Sequence, residues 1–168
     1  TLITHWSMNS PTANATFSIG NMEKFKFESE DIIPVEVYYS SNLHNELAQS
    51  LSRELIRTGS HMEEQIAEDV MNSIRVFEYF FGKYPYDDIR VAEILSFTST
   101  AYPGFVHLGM DTWINTDPWG NDRIHRSHEV AHQWWGVQVG YETYHDKWLS
   151  EGFSTYSSLM YLQRIEGI

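Results

Sequence analysis

Apolar positions change their period along this chain. Through the first forty residues they fall in short clusters rich in β-branched and aromatic side chains: Leu2 to Met8, Ala15 to Ile19, Glu23 to Glu28 and Val35 to Tyr39. Asn9-Ser10-Pro11, Gly20-Asn21 and Asp31 to Pro34 interrupt them, so the region reads as strands joined by turns. Lys24-Phe25-Lys26-Phe27 alternates polar with apolar, the pattern of a sheet with one wet face. Leu43, Leu47, Leu51 and Leu55 then recur every fourth residue up to Gly59, which predicts a helix with a natural stop. Ser60-His61-Met62-Glu63 has the form of a capping box. It opens a second helix with Ile66, Val70, Ile74, Phe77 and Phe81 as its buried stripe, ended by Gly82 and Pro85.

Strand character returns over Ile89 to Leu95 and again at Phe105 to Leu108, with the polar stretch Ser96 to Thr100 between them. Asp111 to Gly120 reads as a loop carrying Trp113 and Trp119. The spacing predicts a third helix from about Asp122 to Trp135, capped by Asn121 or Asp122 and stopped by Gly136. A last helix is predicted from about Trp148 to Arg164. Strands come first and helices mix with strands afterwards, so the fold class is α+β.

At 168 residues the chain has one domain's worth of sequence, or is a compact piece of a larger protein. Hydrophobic residues at 42% and charged residues at 20% exclude a disordered chain. No cysteine is present, which removes disulfide scaffolds and thiolate metal sites. The formal charge of −12 repels phosphate backbones and argues against nucleic acid as a partner. No apolar run is long enough to cross a membrane.

The chemistry concentrates in His128-Glu129-Val130-Ala131-His132. On a helix, residues i and i+4 share one face, so both imidazoles point at one spot and can bind a zinc ion through nitrogen. Glu129 follows about 100° around the helix, close enough to serve a water there without being a ligand itself. Zinc lowers the pKa of such a water to roughly 7, and a carboxylate can take its proton. A chance match is a real risk in a chain with eight histidines. Against it stand the helical pattern around the motif, the flanking Trp134 and Trp135, and a third ligand. That ligand is Glu151, separated from His132 by eighteen residues, on the first turn of the next predicted helix. Three protein ligands with a fourth position open describe a catalytic zinc site.

The His128-to-His132 motif, the eighteen-residue spacer and Trp148-Leu149-Ser150-Glu151-Gly152-Phe153 resemble the gluzincin metallopeptidases of the aminopeptidase N type. His132-Gln133-Trp134-Trp135-Gly136 is similar to the segment that follows the histidines in that family, and the likeness is strong over residues 124 to 157. The resemblance implies one zinc ion per chain, held by His128, His132 and Glu151, with Glu129 as general base. It implies a peptide or protein substrate and a thermolysin-like fold. Residues 1–40 would then be the end of a preceding β domain, and residues 41–168 a zinc metallopeptidase subdomain, incomplete at its C-terminus. Two departures accompany it. The family's Gly-x-Met-Glu-Asn strand, whose Glu holds the substrate's α-amine, aligns so that Ala101 stands at the Glu position, and alanine cannot pair with an ammonium. Glu93 or a residue outside the chain would have to substitute. The family's oxyanion-stabilising Tyr lies well beyond the second zinc helix, whereas only seventeen residues follow Glu151 here. The chain is therefore expected to be a catalytic-domain fragment that needs the remaining domains of a parent protein to complete its cleft.

Ala101, Tyr102, Gly104 and Phe105 are the candidate substrate-binding residues. Phe105-Val106-His107-Leu108 is a candidate edge strand for pairing with an extended peptide. Asp146 and Thr155 are candidates to accept the second N–H of a ligating histidine. His125 is read as an ordinary polar residue, since no ligand is lacking. The competing readings are a zinc-containing binding domain without catalysis, which Ala101 favours, and a domain with no metal. Glu129 favours an enzyme, because a purely structural site has no use for a general base.

Overall fold

Alternation in the first strands works as expected. In the computed structural model, which describes residues 7, 12, 14–42, 62–114 and 119–167, β1 spans Glu23–Ser29 and β2 spans Ile32–Tyr39. Phe25 and Phe27 turn toward the core, while Lys24 turns to the other face and pairs with Glu36 at 2.6 Å. β2 begins earlier than the sequence suggests and contains Pro34. The β1–β2 register shifts between Phe27 and Ser29, and parallel pairing of β2 to its other neighbour begins only at Val35. The proline thus sits where the ladder needs no regular donor.

α1, Met62–Phe81, carries Glu63 and Glu64 in its first turn, where the helix dipole favours negative charge. Its Ile66, Val70, Ile74 and Phe77 are fully buried, as the stripe predicted. Gly82 closes it at φ +92, returning its N–H to the Glu78 carbonyl at 3.1 Å. β3 (Ile89–Ile94), β4 (Thr100–Tyr102) and β5 (Phe105–Gly109) follow. The five strands form one mixed sheet in the order β1-β2-β3-β5-β4. β1–β2 and β5–β4 pair antiparallel, and β2–β3 and β3–β5 pair parallel. Beyond the sheet, the described residues form α2 (Asp111–Ile114), α3 (Asn121–Ala131), a 3-10 turn (Tyr144–Asp146) and α4 (Lys147–Glu166). Val35, Val37, Val91, Val106 and Leu108 from the sheet meet α1, Val130 of α3 and Tyr161 of α4 in one apolar cluster. Each such aliphatic side chain contributes about 1.5–3 kcal/mol on burial. The chain is α+β, as expected, and the proposed boundary at residues 40/41 falls just after β2, which pairs with β3 in this sheet.

Several expectations change. Ala15 to Ile19 forms no strand: Phe17 and Ile19 are 66% and 86% exposed, so no sheet covers them. The Asp111–Gly120 loop opens with the short α2, which buries Trp113 against Tyr39 at 6.3 Å between ring centres. Trp119 is exposed. β5 is interior, between β3 and β4, so Phe105 does not lie on an edge; β4, with Ala101 and Tyr102, is the edge. α3 has Gly120 at its N-cap rather than Asn121 or Asp122, and ends at Ala131 rather than Trp135. The predicted strand at Leu2 to Met8, apart from Ser7, the helix over Leu43 to Leu55 and the start of the capping box lie outside the described residues.

Candidate metal centre

α3 is pinned from below. Arg126, fully buried, donates from Nη1 to Asp69 Oδ2 on α1 at 2.7 Å and from Nη2 to the Thr112 carbonyl at 2.6 Å. Its Nη2 also lies 3.2 Å from Asp122 Oδ2, one turn earlier. Tyr161 on α4 donates to the other oxygen of Asp69 at 3.0 Å. One carboxylate therefore ties together the three helices that set the site.

Two residues beyond Arg126, His128 on α3 faces His132 at the helix C-cap. Their Nε2 atoms are 3.0 Å apart, and each lies 3.4 Å from Glu151 Oε2 on α4. Tetrahedral zinc with bonds of about 2.0–2.1 Å holds its ligand atoms about 3.3–3.4 Å apart; both distances to Glu151 match this, and the two imidazole nitrogens would have to part by a few tenths of an ångström. The chemistry of the donors fits as well. Burial, and then the neighbouring His132, hold the His128 pKa below the ordinary histidine value, against the pull of Glu151. A neutral imidazole is the form that ligates. Among the described residues this trio forms the one cluster of potential metal ligands. Lys147 Nζ approaches the outer oxygen of Glu151 at 3.9 Å.

Glu129 is 8% exposed, and its Oε2 is buried with no hydrogen-bond partner. Burial first, and then the charge of Glu151, push its pKa up to about 8. An unpaired carboxyl oxygen in a native interior calls for a reason, and a proton-accepting role beside the ligand trio supplies one.

The turn after α3 connects the metal ligands to the sheet edge. Gln133, fully buried, accepts the Gly104 N–H at 2.9 Å and donates to the Tyr102 carbonyl at 2.9 Å. One side-chain amide thus clasps the β4–β5 hairpin, where Gly104 takes φ +66. Trp134 donates from its indole to the Gly82 carbonyl at 3.0 Å and packs edge-on against Phe77 and Tyr84.

The other candidate residues divide. Thr155 Oγ1 stands 3.4 Å from His128 Nδ1. The carboxylate of Asp146 instead receives the Thr143 N–H at 3.2 Å and the Thr143 hydroxyl at 2.7 Å in a capping box. Glu93 is buried and accepts the Ser40 N–H at 2.9 Å. Ala101 pairs with Val106 and Tyr102 with Phe105 in the hairpin. Sequence reasoning passed over Gln133 and three serines of α4, Ser150, Ser154 and Ser157, which grip the turn below His132.

Comparison with known proteins points the same way. Residues 121–167 match the Peptidase family M1 domain. Aminopeptidase 2 of Candida albicans is 33% identical over 107 residues, covering 58% of this chain and 12% of its own. The mitochondrial aminopeptidase 2 of Saccharomyces cerevisiae is 31% identical over 110 residues, covering 60% of this chain and 12% of its own. This chain thus spans about an eighth of the length of these relatives. An M1 zinc metallopeptidase from Deinococcus radiodurans superposes with a TM-score of 0.56 at 25% identity, over 88% of this chain and 29% of that one. By motif, by matched segment and by fold, the chain resembles the zinc metallopeptidases of the aminopeptidase N type.

Proposed function

We propose that the chain carries the zinc-binding and proton-transfer groups of a peptide-bond hydrolase. The observation that supports this best is the buried, unpaired Glu129 carboxyl oxygen beside three converging metal-ligand atoms. One zinc ion per chain would be held by His128, His132 and Glu151, and would supply the positive charge that polarises a peptide carbonyl and acidifies the attacking water. Glu129 accepts a proton from that water as its oxygen bonds to the carbonyl carbon. Glu129 then delivers the proton to the amine nitrogen as the C–N bond breaks.

The substrate would lie extended along β4, the edge strand, beside Ala101 and Tyr102, with Gln133 fixing that edge to the metal ligands. This replaces the earlier expectation of pairing with the Phe105 strand. Gly104 and Phe105 shape the hairpin behind β4 rather than its open side. Thr155 would support His128. The remaining domains of a longer parent protein would complete the cleft. Ala101 offers no carboxylate to a substrate's α-amine, so internal peptide bonds are the favoured targets unless another acid reaches that position.

The test is Glu129→Gln in the longest polypeptide that contains these residues. It should retain zinc and lose peptide hydrolysis by several orders of magnitude. The rival reading, a zinc-containing domain that only binds, draws on Ala101 alone. It predicts no hydrolysis by the wild type and no difference on substitution. A Gln variant with undiminished activity would refute the catalytic reading.

A further inference from the structure

Ser150, Ser154 and Ser157 recur at four- and three-residue spacing, which places them on one face of α4. All three are buried, and each meets the turn that carries His132. Ser154 Oγ lies 3.0 Å from His132 Nδ1, and Ser150 Oγ lies 3.2 Å from it. Ser150 donates to the Trp135 carbonyl at 2.8 Å, and that carbonyl is itself 2.9 Å from His132 Nδ1. Ser157 accepts the Trp135 indole N–H at 3.1 Å, and Phe153 stacks on the Trp135 ring at 5.0 Å.

We propose that Ser150 and Ser154 are positioning residues for His132. With the Trp135 carbonyl they hold its ring in the Nδ1–H tautomer and aim the Nε2 lone pair at the metal position. The proposal rests on the zinc reading above for its consequence, though not for its geometry. A carbonyl oxygen cannot donate, so a 2.9 Å contact from Trp135 to Nδ1 is favourable only when that nitrogen carries the hydrogen. Ser150 spends its own hydrogen on the same carbonyl and fixes its place. Ser154, whose one hydrogen bond to a side chain is to Nδ1, completes a forked acceptor for the N–H. Nε2 is then left bare, pointing at Glu151 and His128.

Gly136 shows how tightly the cradle is built. It sits at φ +106, and a Cβ there would run into Ser150 Oγ and approach His132 Nδ1 to 3.6 Å. Only glycine leaves room for the serine beneath the imidazole. Among the described residues His128 has nothing comparable, since its Nδ1 meets only Thr155, at 3.4 Å on an exposed side. The two rings are therefore held unequally, His132 by three contacts at Nδ1 and His128 by one.

Two measurements decide it. In the metal-free wild-type chain, buffered above the histidine titration range, long-range 15N–1H NMR should show His132 with its hydrogen on Nδ1. The double variant Ser150→Ala/Ser154→Ala, with its fold checked by circular dichroism, should bind zinc about 10–100-fold more weakly in chelator competition. Thr155→Val should lose distinctly less. A hydrogen on Nε2 in the wild type, or undiminished zinc affinity in the folded double variant, overturns the proposal. If the wild type binds no zinc at all, the zinc reading fails, and the NMR measurement still decides the cradle.

Discussion

Replacing Arg126 by methionine tests whether α3 is held in place by its charge. Methionine keeps much of the volume and removes the guanidinium. Arg126 has no exposed side-chain surface, and Asp69 and Asp122 beside it are each 8% exposed. After the change, buried Asp122 loses the Arg126 guanidinium, Asp69 keeps only the more distant Arg123 Nε at 4.0 Å and the Tyr161 hydroxyl, and the Thr112 carbonyl loses its donor. Removing one partner of a buried ion pair costs about 3–5 kcal/mol, because the other is left uncompensated. For a chain of this size, each kcal/mol corresponds to roughly 2–4 °C in Tm, so Tm should fall by about 6–20 °C. Urea denaturation followed by circular dichroism measures the loss directly. Adding Asp69→Asn should recover part of it, since the two groups interact and their effects cannot add. A loss under about 1 kcal/mol, or strictly additive effects in the double variant, would refute the pairing as the anchor of the metal helix.

Four further outcomes follow from the same geometry. Gln133→Leu should leave the Gly104 N–H and Tyr102 carbonyl unpaired at about 1–3 kcal/mol each; hydrogen exchange at Gly104 should accelerate, and an unchanged rate would contradict the clasp. Gly136→Ala should destabilise the chain through its φ of +106 and the collision with Ser150; Ser150→Ala in the same chain should recover the steric part, as thermal denaturation would show. Trp134→Ala should cost about 3–5 kcal/mol in chemical denaturation by emptying the ring cluster around Phe77 and Tyr84. The metal-free chain should lose stability with rising pH, because Glu129 is pushed up to about 8. With its folded pKa above the unfolded one, its neutral form favours folding at low pH, and that advantage fades as pH rises toward and through 8. Glu129→Gln should flatten this dependence, and an unchanged slope would argue against a buried carboxyl.

How much of this was legible in the sequence differs from element to element. His128, His132 and Glu151 were legible because helical spacing and a fixed spacer are local facts. The end of α3 was not. Trp134 and Trp135 continue the apolar pattern, but a pattern reports burial and not helical hydrogen bonding. The N–H groups of both tryptophans fold back on the Ala131 carbonyl at 3.0 Å, and Gly136 reverses the chain. Ala15 to Ile19 had strand composition and no partner strand to cover it. The position of β5 inside the sheet depends on pairing with β3, a non-local contact that an apolar run cannot reveal. Helical spacing alone does not say which face of α4 meets another element, and only the packing of α4 against the turn shows that Ser150 and Ser154 face an imidazole. Asp146 looked available as a partner for a histidine because its own role, capping the turn at Thr143, arises from local backbone geometry.

The most direct test of the central claim is the zinc content of the purified chain, measured by atomic emission after dialysis against a weak chelator. The account predicts one zinc per wild-type chain, one per Glu129→Gln chain, and none retained by His132→Ala. A wild-type chain without zinc, or a His132→Ala chain that keeps a full equivalent, would contradict it.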